Sequence, residues 1–260
     1  SDIEMLKVFI GNKYTQVKSE EKLNYISDSI SMHTLAKLAQ GKVLAIDTET
    51  QGLDWAGDNF LVISFSVSFK EGSAYQINLY KEVPLEEADF TIKWERKLLK
   101  KKRALVDVGI QKEPDFNSKI AFLKTILNSE NIKKYMMTPY DMFAFYSLFK
   151  REKRELGKIN NFTMDVQAAA NIINENLYTM SSLSTLQMDF TSIKTDYNTE
   201  FGNMFDKGDM LQAKQANLAK FNEYACYDAD VTRRVGFSLR KELLLKKNKA
   251  QANYLIKFVM

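Results

Sequence analysis

A chain with a single cysteine cannot close an internal disulfide, so Cys226 points to a reducing compartment, here a cytoplasmic one. Cys226 falls within a helical pattern, where a small buried hydrophobe is the plain reading of it. There is one histidine, His33, and no Cys/His cluster, which excludes a zinc site of the usual kind. Any chemistry must therefore run on carboxylates, tyrosine, lysine or serine. No apolar run approaches the ~20 residues needed to span a bilayer, so no membrane partner is expected. The opening residues also lack the basic, apolar, small-residue order of a secretory signal. The 27% charged and 45% apolar residues are ordinary for a globular protein, and 260 residues suit one large domain with appendages, acting as a monomer.

The net charge of +4 is mild but unevenly spread. Lys93 to Arg103 holds seven basic residues and one acid, and further basic clusters lie at 150–154 and 240–249. Such faces are usually solvated helix surface, although a nucleic-acid-handling protein needs them to offset phosphate charge. The charge alone decides nothing.

Val43 to Ile46, flanked by Lys42 and Asp47, reads as a short buried strand. Side chains alternate along extended backbone, so Asp47 and Glu49 at its C-terminal end point to the same side. Two carboxylates in a strand-to-loop turn are commonly just solvated. The question is whether the chain supplies further acids that converge on them.

Ahead of this strand, Ile30 to Gln40 reads as a helix. After it, 51–54 is turn chemistry, and 61–69 alternates apolar with small polar residues as a half-buried strand. A turn at 70–73 returns the chain as a third strand over 74–80. Residues 91–105 read as a basic helix with a narrow stripe of Trp94, Leu98 and Leu105. Ser118 to Leu127 is an amphipathic helix, and 131–137 a strand. Thr138-Pro139 then fits a helix start that puts Asp141 in the first turn, running on to Phe149. A short strand at 161–164 and helices at 165–173 and 181–188 follow. Asp189 to Gly208 reads as a long loop, and 211–246 as helix, broken near Phe237. In that late helix Tyr224 and Asp228 are four apart and share a face, while Asp230 points elsewhere.

Together these pieces resemble the three exonuclease motifs of the DEDD superfamily, which has the DnaQ-like, ribonuclease H-like fold. Asp47-Thr48-Glu49-Thr50-Gln51-Gly52-Leu53 is similar to its D-T-E-T-x-G-L, and Tyr224 through Asp228-Ala-Asp-Val-Thr232 to its Y-A-x-x-D-A-D-V-T. Tyr140-Asp141 stands at the second motif. Asp165 to Asn174 looks like the family's D-x-x-x-A-A-Y-L-L-N helix, and Ser181-Ser182-Leu183 like its S-L-x-x-L element. The agreement covers about residues 25 to 240. Tyr224 puts the chain in the tyrosine branch, most similar to the proofreading domain of family A, DNA polymerase I-like enzymes.

The resemblance implies an α/β, ribonuclease H-like fold with a mixed five-stranded sheet flanked by helices. It implies a domain over 25–246, with an N-terminal extension at 1–24 and a basic insertion at 81–116. Residues 247–260, ending in a tail from Tyr254 to Met260, look like the start of a connection to a polymerase module, and the chain begins at Ser1. An excised domain of a longer, phage-like polymerase is the expectation. The activity implied is 3′–5′ hydrolysis of single-stranded DNA from its 3′ end with two divalent ions, Mg²⁺ or Mn²⁺. Partners would be that 3′ end and a polymerase module or replication proteins. Asp47 would bridge both ions, Glu49 and Asp228 would complete one site, Asp141 would hold the second ion, and Tyr224 would orient the attacking water. Thr48 and Leu53 would meet the terminal nucleotide, with Met137 and Tyr140 beside it. Family members usually carry N-x-x-[FY]-D at the second motif. Met137 and Pro139 replace the polar and basic positions there, so one substrate-side contact is missing. Two alternatives stand beside this reading. One is a domain that only grips single strands or docks a partner. The other is a ribonuclease D-like exoribonuclease, although that family tends to have an aromatic where Thr50 lies.

Overall fold

The computed structural model describes residues 24–27, 30–97, 103–173, 182–193 and 195–245. The expectations placed on the first 23 residues, on Ser181 and on the C-terminal tail lie outside the described residues. The strands are β1 (Asn24–Ser27), β2 (Val43–Gln51), β3 (Leu61–Lys70), β4 (Ser73–Asn78), β5 (Tyr80–Val83), β6 (Phe90–Lys97), β7 (Arg103–Lys112), β8 (Lys133–Met136) and β9 (Phe162–Asp165). The helices are α1 (Met32–Ala39), α2 (Phe116–Asn128), α3 (Tyr140–Arg151) and α4 (Val166–Ile173), then α5 (Leu183–Phe190), α6 (Tyr197–Met204), α7 (Met210–Ala216) and α8 (Leu218–Leu243).

The main sheet has the order β1-β4-β3-β2-β8-β9. It is mixed and flanked by helices as expected, with β1 as a sixth strand laid parallel to β4 along one edge. Strand β2 sits inside the sheet because its run is apolar on both faces. Leu44 and Ile46 enter a core shared with α1, α2 and α3, whereas Ala45 enters one shared with α4, α5 and α8. The alternation continues past Ala45, so Asp47 and Glu49 emerge on the α8 side.

Strand β3 was expected to be half-buried, yet Leu61 to Ser68 is buried on both faces. Its serines are the reason. They line the α8 face, where small side chains let the helix approach, and the Ser66 hydroxyl donates to the Ala225 carbonyl at 2.7 Å. Helix α8 runs unbroken through Phe237, and the break in the late helical segment falls at Asn217 instead. Asn217 closes α7 and caps α8 through its side chain, accepting from the Lys220 N–H at 3.0 Å. A further helix, α6, lies where a long loop was expected. Its start is signalled by Asp196, which accepts from the Thr199 N–H at 3.0 Å.

The expected basic helix over 91–105 is instead an antiparallel hairpin of β6 and β7, extended by β5 into a separate three-stranded sheet. The decisive pattern has a period of two. Phe90, Ile92 and Trp94 alternate on β6, and Val106, Val108 and Ile110 on β7. The Trp94–Leu98–Leu105 spacing was a coincidental helical match.

Cys226 is buried in α8, and burial pushes its thiol up, as befits a small core hydrophobe. Asp230 does point away from Asp228. It accepts from the Tyr25 hydroxyl of β1 at 3.3 Å, from the Gly72 N–H at 3.1 Å and from Arg234 at 3.0 Å. Helix α8 approaches β8 most tightly at Gly236, where a Cβ would meet the Tyr135 ring at 2.5 Å. Tyr135 is fully buried and has no room to yield. Gly236→Ala gains about 1 kcal/mol of helix propensity. Overpacking costs about 1–3 kcal/mol, so a lower urea midpoint is expected. None of the described helices is long and apolar enough to cross a membrane.

Candidate active site

Strand β2 pairs in parallel with β8, so their C-terminal ends lie on the same edge of the sheet. The chain leaves β8 through Met137-Thr138-Pro139 and enters α3. Its second residue, Asp141, is thereby delivered beside the acids that end β2. The Thr138 hydroxyl accepts from the Tyr140 N–H at 3.2 Å and starts the helix. Thr48, on the opposite face of β2 from its two acidic neighbours, donates its hydroxyl to Asp141 Oδ1 at 2.7 Å. From the other side α8 contributes Asp228. Carboxylate oxygens of Asp47, Glu49 and Asp228 lie within 4.8 Å of one another.

Four acids crowded into a partly dry pocket repel one another and lose solvation. Burial, followed by the charges of Asp141, Asp228 and Glu49, holds Asp47 well above the usual carboxylate range. Burial and Asp228 do the same to Glu49. Burial raises Asp141 to about 7 against the pull of its Thr48 hydrogen bond. Burial likewise raises Asp228 to about 7, against its hydrogen bond from Tyr224 and the nearby Lys207 charge.

Tyr224 lies one turn before Asp228 on the same face of α8, with its hydroxyl also 3.5 Å from Asn198 Oδ1. Its ring stacks on Phe201 of α6 with centroids 4.1 Å apart. Burial and the surrounding carboxylates push the phenol well above its ordinary range, so it keeps its proton. The sequence reading missed Lys207, whose Nζ lies 5.0 Å from the Tyr224 ring centroid and whose charge acts on Asp228 and Glu49. Only α6 and α7, neither fully legible beforehand, carry this lysine to the acids.

The remaining candidates border the cluster. Tyr140 is half-buried, and its hydroxyl donates to the Gly52 carbonyl at 3.1 Å and lies 3.1 Å from the Thr50 hydroxyl. Leu53 follows on the same turn and is 82% exposed. Met137 is half-buried against the α4 and α8 core, and its carbonyl accepts from the Gln167 N–H at 3.0 Å.

The three-stranded sheet also reaches this site. Gly52 has φ +89°, which favours glycine, and a Cβ there would come within 2.9 Å of the Trp94 ring. The Trp94 indole donates to the Gly208 carbonyl at 3.2 Å. Arg96 binds Glu82 in a fork at 2.7 and 2.5 Å, and its Nε donates to Asp209 at 2.7 Å. Asp209 also accepts from Gln51 of β2 at 3.1 Å. The hairpin thus ties the turn after β2 to the segment carrying Lys207. Misplacement of order 1 Å can cost roughly 10²-fold in turnover. Trp94→Ala is accordingly expected to lower nuclease kcat/KM about tenfold with unchanged circular dichroism. Trp94→Phe, which keeps a ring against Gly52, is expected to retain most of it.

The family described as 3′–5′ exonuclease, of the DNA polymerase A type, matches residues 14–244. The chain belongs to this family. No curated protein sequence matches it. Among solved structures, one titled the apo form of the nuclease is 17% identical with a TM-score of 0.55, covering 92% of this chain and 89% of its own. Brucella melitensis NrnC with bound Mg²⁺ is 16% identical with a TM-score of 0.53, over 92% of this chain and 90% of that one. NrnC bound to pGG is likewise 16% identical, at 0.51 over 92% and 90%. At these identities the likeness is one of fold.

The exonuclease family uses two divalent metal ions, and the acid cluster fits them. The donors are carboxylate oxygens, with no nitrogen or sulfur among them, which suits Mg²⁺ or Mn²⁺. The raised pKa values state the same fit energetically, because such a set is costly to ionise without a cation.

Proposed function

We propose that the chain removes nucleotides from the 3′ end of single-stranded DNA, as the proofreading module of a cytoplasmic DNA polymerase. The observation that carries this reading is the convergence of Asp47, Glu49 and Asp228, with Asp141 and Tyr224 at their side, in the family's motif order. Asp47 would hold both ions, Glu49 and Asp228 would complete one site with it, and Asp141 would hold the second. When bound, the two ions supply an acidic water on one side of the phosphodiester and charge compensation for the departing 3′ oxygen on the other.

The chain's own groups do the rest. Tyr224, kept protonated by its surroundings, orients the attacking water rather than deprotonating it. Thr48 fixes the Asp141 carboxylate through its hydroxyl and leaves its backbone to meet the terminal sugar. Tyr140 holds the Gly52 turn, which offers the exposed Leu53 as an apolar wedge against the terminal base. Lys207 is a cation beside Asp228 and Glu49, suited to a phosphate that enters there. These contacts read sugar, phosphate and stacking, so DNA of any sequence is accepted.

A second reading, a 3′–5′ exonuclease of RNA or of short oligonucleotides, draws on the fold shared with NrnC bound to pGG. The test compares 5′-labelled DNA and RNA single strands of equal sequence, with Mg²⁺ or Mn²⁺. Stepwise shortening of DNA from the 3′ end, faster than of RNA, is the expected outcome. Faster loss of RNA favours the second reading, and no cleavage of either sinks both.

A further inference from the structure

Exposed aromatic side chains are rare on this surface, and they gather in one place. Of the four large exposed aromatics among the described residues, Trp55, Phe143 and Tyr146 belong to α3 and to the turn after β2 that packs on it, and Phe237 lies on α8. Their exposures are 42%, 43% and 46%, so large apolar faces meet water. Phe143 lies three residues after Tyr140, on the same face of α3. Tyr146 follows at i+3, and the exposed Lys150 at i+7, along the solvent face of α3. Trp55 comes from the turn that also carries Leu53, and it stacks on Phe143 with centroids 5.0 Å apart and planes 17° off parallel.

This surface is held in place rather than loosely draped. Arg151, at the end of α3, donates to the carbonyls of Asp58 and Phe60, the latter at 2.8 Å. Tyr140, at the start of α3, donates to the Gly52 carbonyl. The 52–60 segment and α3 are therefore pinned at both ends, with the Trp55–Phe143 pair between.

We propose that Trp55, Phe143 and Tyr146 form a stacking track for the bases upstream of the terminal nucleotide, with Lys150 meeting the backbone phosphate. The proposal rests on the exonuclease reading and sharpens its substrate: single strands of four or more nucleotides rather than dinucleotides. From Phe143 to Lys150 is about 10 Å of helix. A stacked strand advances about 3.4 Å per nucleotide, so the track spans roughly three bases. Rings followed by a cation along one line are what a sequence-tolerant single-strand site requires. Its continuity with Tyr140 and with the turn carrying Leu53 identifies the occupant as the same strand whose end reaches the acids.

The test measures binding in chelator, where hydrolysis is silent. Fluorescein-labelled thymidine dinucleotide and octanucleotide are titrated against the full chain. The octamer is expected to bind at least tenfold more tightly, and to quench tryptophan emission in wild type but not in Trp55→Phe, where only Trp94 emits. Each of Phe143→Ala, Tyr146→Ala and Trp55→Ala is expected to weaken octamer binding about fivefold or more. Trp55→Phe should keep most of the affinity, which separates stacking from misfolding. An octamer bound no more tightly than the dinucleotide, or alanine variants that bind it like wild type, overturns the proposal. A length preference that depends on these rings in a protein that cleaves nothing would sink the nuclease reading and leave the track standing. Cleavage without that preference would do the reverse.

Discussion

Asp47→Ala is expected to lower metal-dependent release of 3′ nucleotides by about 10³-fold or more, roughly 4 kcal/mol of barrier. Asp47 is the acid whose charge the other three all act on, and in the proposed arrangement it is the one that would hold both ions. A time course on a labelled single strand, with wild type alongside, checks this. The same position should behave oppositely in a stability measurement. Without metal, the Asp47 carboxylate is a buried charge repelled by Asp141, Asp228 and Glu49. Asp47→Asn keeps the shape and removes the charge, so its melting temperature in chelator above pH 7 should exceed that of wild type. A variant that is both inactive and less stable would mean that Asp47 holds the fold rather than the chemistry.

Divalent ions are expected to raise the melting temperature by about 10–20 °C at pH 8, and by much less at pH 5. Each ion at a hundred times its Kd contributes about 2.7 kcal/mol. Two together give about 5 kcal/mol, at roughly 2–4 °C per kcal/mol for a domain of this size. The pH dependence follows from Asp141 and Asp228, whose folded pKa values are raised from 3.8 to about 7. The folded chain holds these protons more tightly than the unfolded one. Their stabilising effect in chelator is therefore full below about pH 4 and is lost as the pH climbs through 7. Metal binds the ionised set and reverses the loss where it is greatest. Differential scanning calorimetry at the two pH values, with EDTA or millimolar Mn²⁺, measures both. Equal metal effects at pH 5 and 8 would show that these carboxylates are not the ligands.

What could be read beforehand was what local rules govern. The two-residue step from Asp47 to Glu49 fixes one strand face, and the four-residue step from Tyr224 to Asp228 fixes one helix face. Asp141 in a first turn followed from Thr138-Pro139. Convergence of the three segments rests on the parallel pairing of β2 with β8 and on α8 crossing the sheet, and local patterns do not contain that. It was legible only through the family's motif order. Lys207, Trp94 and Arg96 were missed for the same reason. Arg96 meets Asp209 across 113 residues of chain, and neither neighbourhood hints at the other. The hairpin was misread because its lysines masked the two-residue alternation of Phe90, Ile92 and Trp94 with Val106, Val108 and Ile110.

Tyr25 has a meaning for anyone dissecting the gene. Its hydroxyl grips Asp230, two residues along the same helix from the acid that faces Asp47. A shortened version starting at the helix before β2 would retain every proposed ligand. It would nonetheless forfeit the clasp that steadies the last of them. The useful minimum is set by that clasp, in β1, and not by the first recognisable motif.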